Sequence, residues 1–247
     1  MSSSASLSPM SPSPFSAEAF RERARPHLLL DAEENFARPH FGDHAWQAQL
    51  GAAMLEGRRT GRVKPSPRAI GDVRTFRDAA VLIGIVDHGD EASLILTQRT
   101  TTLSTHAGQI ALPGGKIDPQ DADPIDAALR EAEEEIGLDR AFVEPIGYFF
   151  PYLTGTRFRI VPVVGIVKPG FTLTPNEGEV ADVFEVPLTF LMDDANHRIG
   201  SRVWEGTTRY FYEMPFGERY IWGVTAGILR QVFEMLYPDL IARETGA

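Results

Sequence analysis

The chain has 247 residues and a formal net charge of −10, and it contains no cysteine. The negative charge argues against nucleic acid as a partner, because binding to a phosphate backbone depends on Lys and Arg. The lack of cysteine excludes disulfides and thiolate metal sites. Hydrophobic residues make up 43% of the chain, and no apolar run approaches the roughly 20 residues that a membrane span needs. We therefore expect an ordinary globular, cytoplasmic protein with no membrane partner.

The N-terminal part divides into a tail and an extension. Residues 1–14 are rich in Ser and Pro, which predicts a disordered tail. Residues 15–77 predict a helical extension, with short helices from Ala17 to about Arg25 and from Ala45 to Glu56, before a basic connection from Arg58 to Arg74. We expect this extension to pack on the main domain or to form the contact of a homodimer.

Periodic apolar segments predict the elements of a main domain over residues 78–238, followed by a short C-terminal tail, 239–247. The predicted strands lie at 79–86, 93–98, 142–152, 158–167, 202–204 and 210–214. A short helix is expected within 184–192, and a last amphipathic helix is expected from Ile221 to Tyr237.

The stretch from Pro113 to Leu138 combines a glycine turn, an acidic loop and a helix. Asp123 is a good N-cap and Pro124 suits the first helical position, so the helix is expected to begin there. Gly137 is expected to end it.

Three glutamates, Glu131, Glu134 and Glu135, fall within about one third of the circumference of this helix. An apolar set on another side is expected to face the core: Ile125, Ala128, Leu129, Ala132 and Ile136. The three carboxylates repel one another and have only Arg130 beside them. Hard cations such as Mg²⁺ bind carboxylate oxygens, although a solvated acidic face is the simpler alternative.

The residue order at the end of this stretch resembles the Nudix box, whose second half runs Arg-Glu-aliphatic-x-Glu-Glu-x-Gly-aliphatic. The matching residues are Arg130, Glu131, Ala132, Glu134, Glu135, Gly137 and Leu138. The first half departs from the family pattern, because Gly115 lies fifteen positions before Arg130, one more than in the consensus. The consensus Glu is absent and would fall on Asp121 or Ala122. A longer acidic loop with aspartates at Asp118 and Asp121 is similar to the coenzyme A diphosphatase branch, and it leaves the role of Asp121 open.

A second resemblance to the same branch covers Ile95 to Gly115, the segment before the box. The positions that agree in spacing are Leu96, Thr97, Arg99, Gly108, Pro113, Gly114 and Gly115. Ile95, Thr100 and Leu112 are mild replacements, whereas Ser104 stands where the motif has an arginine. If that arginine grips a phosphate or pantetheine group, Ser104 weakens the assignment of coenzyme A as substrate.

These resemblances imply an α/β fold, a Nudix-type α/β/α sandwich around a mixed sheet with the N-terminal helical extension added. They also imply a diphosphatase that uses Mg²⁺ or Mn²⁺. Glu131, Glu134 and Glu135 would hold the cations, together with the Gly115 carbonyl.

The same resemblance implies roles in the reaction, in which hydroxide attacks phosphorus in line. Glu135 or Glu179 would position or deprotonate the attacking water. Glu179 is preferred to Glu177 as the glutamate from outside the box. Arg130 would orient the glutamates by charge-assisted hydrogen bonds.

Four residues are expected on the substrate side: Arg99, His106, Gly108 and Gly114. Gly114 and Gly115 are both expected to adopt positive φ angles. The implied reaction cleaves coenzyme A, or a derivative, to 3′,5′-ADP and 4′-phosphopantetheine. The alternatives are another nucleotide substrate, such as ADP-ribose or a dinucleoside polyphosphate, and a catalytically silent nucleotide-binding module.

Overall fold

The computed structural model describes residues 13–30, 76–102, 106–204 and 206–241. The predicted helix at 45–56, the basic connection at 58–74 and Ser104 lie outside these residues. The helices are α1 (Ala17–Ala24), α2 (Pro124–Ile136), α3 (Leu188–Leu191) and α4 (Gly223–Leu236).

The strands form one sheet of eight strands and one of three. In chain order they are β1 (Arg77–Asp87), β2 (Ala92–Arg99), β3 (Ile110–Ala111), β4 (Gly114–Lys116), β5 (Val143–Tyr148), β6 (Tyr152–Leu153), β7 (Phe158–Val167), β8 (Val180–Pro187), β9 (Arg198–Trp204), β10 (Thr207–Phe216) and β11 (Arg219–Trp222).

The large sheet opens between β1 and β2. Strand β1 pairs in parallel with β7 along its length, whereas on its other side it pairs with β4 at its start and with β2 at its end, both antiparallel. Strand β2 pairs with β8 on one side and with β3 near its own end. Strands β1 and β2 therefore diverge, and β3 and β4 fill the gap. This split places the glycine turn of β4 inside the sheet.

Apolar layers cover both faces of the large sheet, as the predicted α/β/α sandwich requires. On one face, α2 contributes small buried residues such as Ala128 and Ala132, which let the helix approach Leu82 and Val163 closely. On the other face, α1, α4 and the three-stranded sheet share a second core. The mixed α/β class expected from the sequence is confirmed.

Two of the predicted elements need correction. The strand expected at 142–152 is two strands, β5 and β6, because Pro151 between them has no N–H for a ladder. The last helix begins at Gly223 rather than Ile221, since Ile221 and Trp222 belong to β11. Gly223 has a φ of +65°, which turns the chain from the strand into the helix.

Residues 13–30 pack on the domain. The predicted first helix is present as α1, and the Ser16 side chain accepts a hydrogen bond from the Ala19 N–H at 3.2 Å. Phe20 is fully buried against the core that α4 also lines. Leu29 exchanges backbone hydrogen bonds with Tyr148 of β5. The expectation that the extension packs on the domain holds for these residues, and the homodimer remains a prediction.

In the four ranges that the structure describes, no helix is long and apolar enough to cross a membrane.

Replacing Phe20 by Ala should destabilise the domain by about 3–5 kcal/mol, because a large buried aromatic ring leaves a cavity. Urea denaturation measures this loss. Arg25→Ala is the control, since the Arg25 side chain is 69% exposed and its pairing with Glu22 lies at the surface. A Phe20→Ala protein as stable as the control would show that α1 is not part of the folded domain.

Candidate active site

Helix α2 has the boundaries that the sequence predicts. The Asp123 side chain accepts a hydrogen bond from the Asp126 N–H at 2.8 Å, and Pro124 occupies the first turn. Gly137 ends the helix in the left-handed region, with a φ of +66°. These caps fix which residues of the helix face the sheet.

Glu135 lies on the buried side of α2, which corrects the expectation that all three glutamates share an open face. Glu135 is only 4% exposed, whereas the side chain of Glu134 is 60% exposed and that of Glu131 is 18% exposed. The reason is helical spacing: Glu135 follows Ala132 by three residues and Ala128 by seven, so it lies over the apolar stripe.

The Glu135 carboxylate is held by two groups from the split in the sheet. The Gly114 N–H donates to Oε2 at 3.0 Å, and the Arg99 guanidinium donates from Nη1 to Oε1 at 3.4 Å. Burial raises the pKa of Glu135 to about 7, and the charges of Glu131 and Glu179 act in the same direction. This carboxyl group therefore titrates near neutral pH.

The two glycines of β4 are needed for different reasons. Gly114 has a φ of +148°, and a Cβ there would lie 2.3 Å from the Ala80 carbonyl oxygen. Gly115 does not have a positive φ, so that expectation was wrong for this residue. A Cβ on Gly115 would instead lie 2.5 Å from the Glu131 carboxylate. The absence of a side chain lets Glu131 lie directly against the backbone of β4.

Arg130 joins the two remaining glutamates of the helix. Its Nη1 donates to Glu131 Oε1 at 3.1 Å and to Glu134 Oε2 at 3.0 Å. Burial raises the pKa of Glu131, Arg130 opposes that shift, and the charges of Glu134 and Glu179 add to it. The structure thus places Arg130 where an orienting role requires it.

Asp121, whose role the sequence left open, anchors Arg130. The guanidinium donates from Nε to Oδ1 at 2.8 Å and from Nη2 to Oδ2 at 3.0 Å, a bidentate pair. The Asp121 side chain is 2% exposed and also accepts the Asp118 N–H at 2.7 Å. The hydrogen bond from Arg130 is the main cause that lowers the pKa of Asp121. Sequence spacing did not reveal this pair because its members lie nine positions apart, one in the loop and one in the helix.

Glu179 reaches the same cluster from outside the helix. It is exposed, yet its negative charge raises the pKa of both Glu131 and Glu135, so the three carboxylates lie within electrostatic range. Its carbonyl accepts the Thr100 N–H at 2.9 Å, which fixes its backbone beside the end of β2. Glu177 is exposed in the turn before it.

The Nε of Arg99 is a buried donor without a hydrogen-bond partner among the described residues. The side chain as a whole is 25% exposed. Buried donors are normally paired, and a guanidinium suits a phosphate oxygen. Arg99 therefore places a guanidinium with one unpaired buried donor, among the described residues, beside the Glu135 carboxylate.

His106 and Gly108 shape the loop between β2 and β3. His106 is exposed with a φ of +58°, and its Nδ1 lies 2.8 Å from Gln109 Oε1. Gly108 has a φ of +69° and donates its N–H to the Thr100 carbonyl at 3.3 Å. Across residues 106–204, no hydrogen bond joins either residue to the glutamates.

The carboxylates suit a hard divalent cation, although they are not yet arranged around one. In the described ranges, no three Asp, Glu or His side chains already converge as a metal site. Glu134 instead contacts Arg130, and its side chain is 60% exposed. The charges of Glu134 and Glu179 raise the pKa of Glu131, those of Glu131 and Glu179 raise the pKa of Glu135, and a cation would relieve this repulsion.

The raised pKa of Glu135 predicts how stability depends on pH in the metal-free protein. Between pH 4.5, the ordinary pKa, and about 7, the folded state keeps a proton that the unfolded state has lost. The free energy of unfolding should therefore fall by about 2–3 kcal/mol as pH rises through this window. Urea denaturation in EDTA at pH 5 and pH 8 measures it.

Glu135→Gln should remove this dependence, so that its stability relative to the native protein increases with pH. Glu133→Gln, an exposed neighbour on the same helix, should keep it. Parallel pH profiles for the native protein and Glu135→Gln would contradict the assignment.

Asp121→Asn should lower the free energy of unfolding by about 1–3 kcal/mol at pH 7, because it removes a charge-assisted bidentate pair. The lowered pKa means that this contribution is lost only as pH falls below the ordinary value of 3.8. Asp118→Asn is the control, since its carboxylate is 3.9 Å from Arg130 and half-exposed. Equal losses in the two variants, measured by thermal unfolding, would argue against the anchoring role.

The chain is similar to a known family and to several known proteins. The family model of the NUDIX domain matches residues 75–204, which include both resemblance segments. The chain is 42% identical over 167 residues to Nudix hydrolase 15, mitochondrial, of Arabidopsis thaliana, an alignment that covers 64% of this chain. The chain spans 58% of the length of that plant protein.

A bacterial relative is covered more fully. The chain is 39% identical over 166 residues to the uncharacterized Nudix hydrolase NudL of Citrobacter koseri, covering 67% of this chain and 86% of the relative. Among solved structures, the MutT protein from Methanosarcina mazei is 16% identical with a TM-score of 0.44, covering 68% of this chain and 96% of that one. The match to the family model and the coverage of the bacterial relative show that this chain belongs to the Nudix hydrolase family.

Proposed function

We propose that the chain hydrolyses the diphosphate bond of coenzyme A or a derivative, giving 3′,5′-ADP and 4′-phosphopantetheine. The observation that carries the hydrolytic part is the buried Glu135 carboxylate, held by the Gly114 N–H beside the unpaired Nε of Arg99. The preference for a coenzyme A type substrate rests on the motif from Ile95 to Gly115 and on the longer acidic loop before α2.

A divalent cation, Mg²⁺ or Mn²⁺, is part of the proposal. Held by Glu131, Glu134 and Glu135, with the Gly115 carbonyl as a further ligand, it would neutralise the diphosphate and acidify a water molecule. The chemistry of the donor set supports this role, since hard divalent cations prefer carboxylate oxygens and the charges of Glu131 and Glu179 raise the pKa of Glu135.

The chain's own residues supply orientation and proton transfer. Arg130 holds Glu131 and Glu134, and Asp121 holds Arg130. Glu135 or Glu179 accepts the proton of the attacking water. The Gly114 N–H holds the Glu135 carboxylate in a fixed position, and exposure to solvent suits Glu179 to this task.

Substrate binding is assigned to the end of β2 and the loop after it. Arg99, whose side chain is 25% exposed, would bind a phosphate oxygen, and His106 and Gly108 would line the loop beside it. We place Gly114 with the carboxylate rather than with the substrate, because its N–H donates to Glu135. A homodimer and a cytoplasmic location are further predictions from the sequence alone.

Incubating the purified protein with coenzyme A and Mg²⁺ should release 3′,5′-ADP, detected by chromatography. ADP-ribose and a dinucleoside polyphosphate are run in parallel, because Ser104 in place of the motif arginine leaves another nucleotide substrate open. The highest kcat/KM should belong to the coenzyme A compound. Faster cleavage of ADP-ribose would support the assigned catalytic residues and contradict coenzyme A as the preferred substrate. No cleavage of any compound would favour a nucleotide-binding module without activity.

Glu134→Gln and Glu135→Gln should each lower kcat by about 100-fold or more, since each removes a carboxylate from the charged cluster. Glu133→Gln is the matched control, because Glu133 lies on the same helix, half-exposed and 3.5 Å from Arg140. The control should retain activity, and circular dichroism should show all three variants folded. An active Glu134→Gln and Glu135→Gln double variant would refute the site.

A further inference from the structure

We propose that Asn176 is a positioning residue that holds Glu179 in place relative to Glu135. The proposal rests on the hydrolytic function proposed above. It concerns the segment Thr174–Val180, called the 174–180 strap from here on. The strap contacts the end of α2 and leads into β8. Hydrogen bonds fix this strap at both ends, and Asn176 connects them.

The first end of the strap is fixed to α2. The last carbonyls of a helix have no partner inside it and need one elsewhere. Here the Thr174 N–H donates to the Ile136 carbonyl at 2.7 Å, and the Asn176 N–H donates to the Glu135 carbonyl at 2.9 Å. Gly137 permits this approach, because a Cβ there would lie 3.1 Å from the Thr174 backbone. The strap is thus bonded to the residue that carries the buried carboxylate.

The other end of the strap is fixed to β2. The Thr100 N–H donates to the Glu179 carbonyl at 2.9 Å, and the Thr100 hydroxyl donates to the Gly178 carbonyl at 3.5 Å. Thr100 is buried and directly follows Arg99. Glu179 is therefore bonded to the residue next to Arg99, whose guanidinium contacts Glu135.

Asn176 connects the two ends. Its carbonyl accepts the Glu179 N–H at 2.9 Å and the Val180 N–H at 2.8 Å. Its side-chain Oδ1 accepts the Gly178 N–H at 3.1 Å, an Asx-type turn that sets the backbone before Glu179. One residue therefore contacts Glu135 through its N–H and Glu179 through its carbonyl, and its side chain holds the turn between them.

This arrangement matters because Glu179 is exposed and its carboxylate acts only if its backbone is already placed. Pre-ordering a catalytic group raises the rate of the chemical step, and a misplacement of about 1 Å costs roughly 100-fold. Removing the Asn176 side chain leaves the backbone bonds available and removes the Asx turn alone. The expected effect is therefore intermediate, on kcat rather than on substrate binding.

The test compares Asn176→Ala with Asn176→Ser, whose hydroxyl forms the same turn more weakly. Asn176→Ala should lower kcat by about tenfold with KM within about threefold, and Asn176→Ser should recover most of that loss. Thr172→Ala, an exposed position of the same loop, is the control and should match the native protein.

A double-variant cycle separates positioning from general destabilisation. In a Glu179→Gln background, Asn176→Ala should cause no further loss of kcat, because the group that it positions is gone. A tenfold loss that persists in this background would overturn the proposal, as would native kcat in Asn176→Ala or failure of Asn176→Ser to recover activity.

Amide hydrogen exchange provides a readout that does not depend on activity. Asn176→Ala should speed exchange at the Gly178 and Glu179 amides by tenfold or more and leave the interior of α2 unchanged. Unchanged exchange at both amides would overturn the positioning role. If the native protein cleaves no diphosphate, the proposed function fails together with the catalytic part of this proposal, and the exchange data still decide whether Asn176 fixes the turn.

Discussion

The structure depends on one constraint, the burial of the Glu135 carboxylate between α2 and the large sheet. A carboxylate that is 4% exposed needs donors, and the split between β1 and β2 provides them. Strand β4 enters the split and presents the Gly114 N–H, while the end of β2 presents Arg99. Without the divergence of β1 and β2, neither donor would reach the helix, and the carboxylate would be buried without partners.

The charges around this buried group form two linked sets. Arg130 contacts Glu131 and Glu134 of the helix and Asp121 of the loop before it. One guanidinium therefore pairs with three carboxylates. Arg99 is the only cation bonded to Glu135 among the described residues, and one of its donors remains free. The described carboxylates of the cluster outnumber the two arginines that contact them. The buried Nε of Arg99 has no hydrogen-bond partner among the same residues. That combination suits a phosphate group that binds together with a divalent cation.

Much of the site follows from local rules that the sequence displays. The capping residues Asp123 and Gly137 fix the ends of α2, and Arg130 with the glutamates follows from their spacing along it. Asp121 and Asn176 could not be assigned in this way, since each acts through a partner in another element or turn. The Asn176-x-Gly178 pattern is a local signal for an Asx turn, but only the fold shows that the same residue is also bonded to the Glu135 carbonyl.

The sequence by itself determined the family, the ends of α2 and most of the longer strands, because caps, period and motif spacing are local properties of the chain; the pairing of β1 with β7 and of β2 with β8 came from the fold. Only the tertiary structure decided that Glu135 is buried, that Gly115 makes room for Glu131, and that β11 precedes α4. These features depend on how far β1 and β2 diverge and on which strand fills the gap. Such distances arise from packing between segments far apart in the chain, which no local pattern encodes.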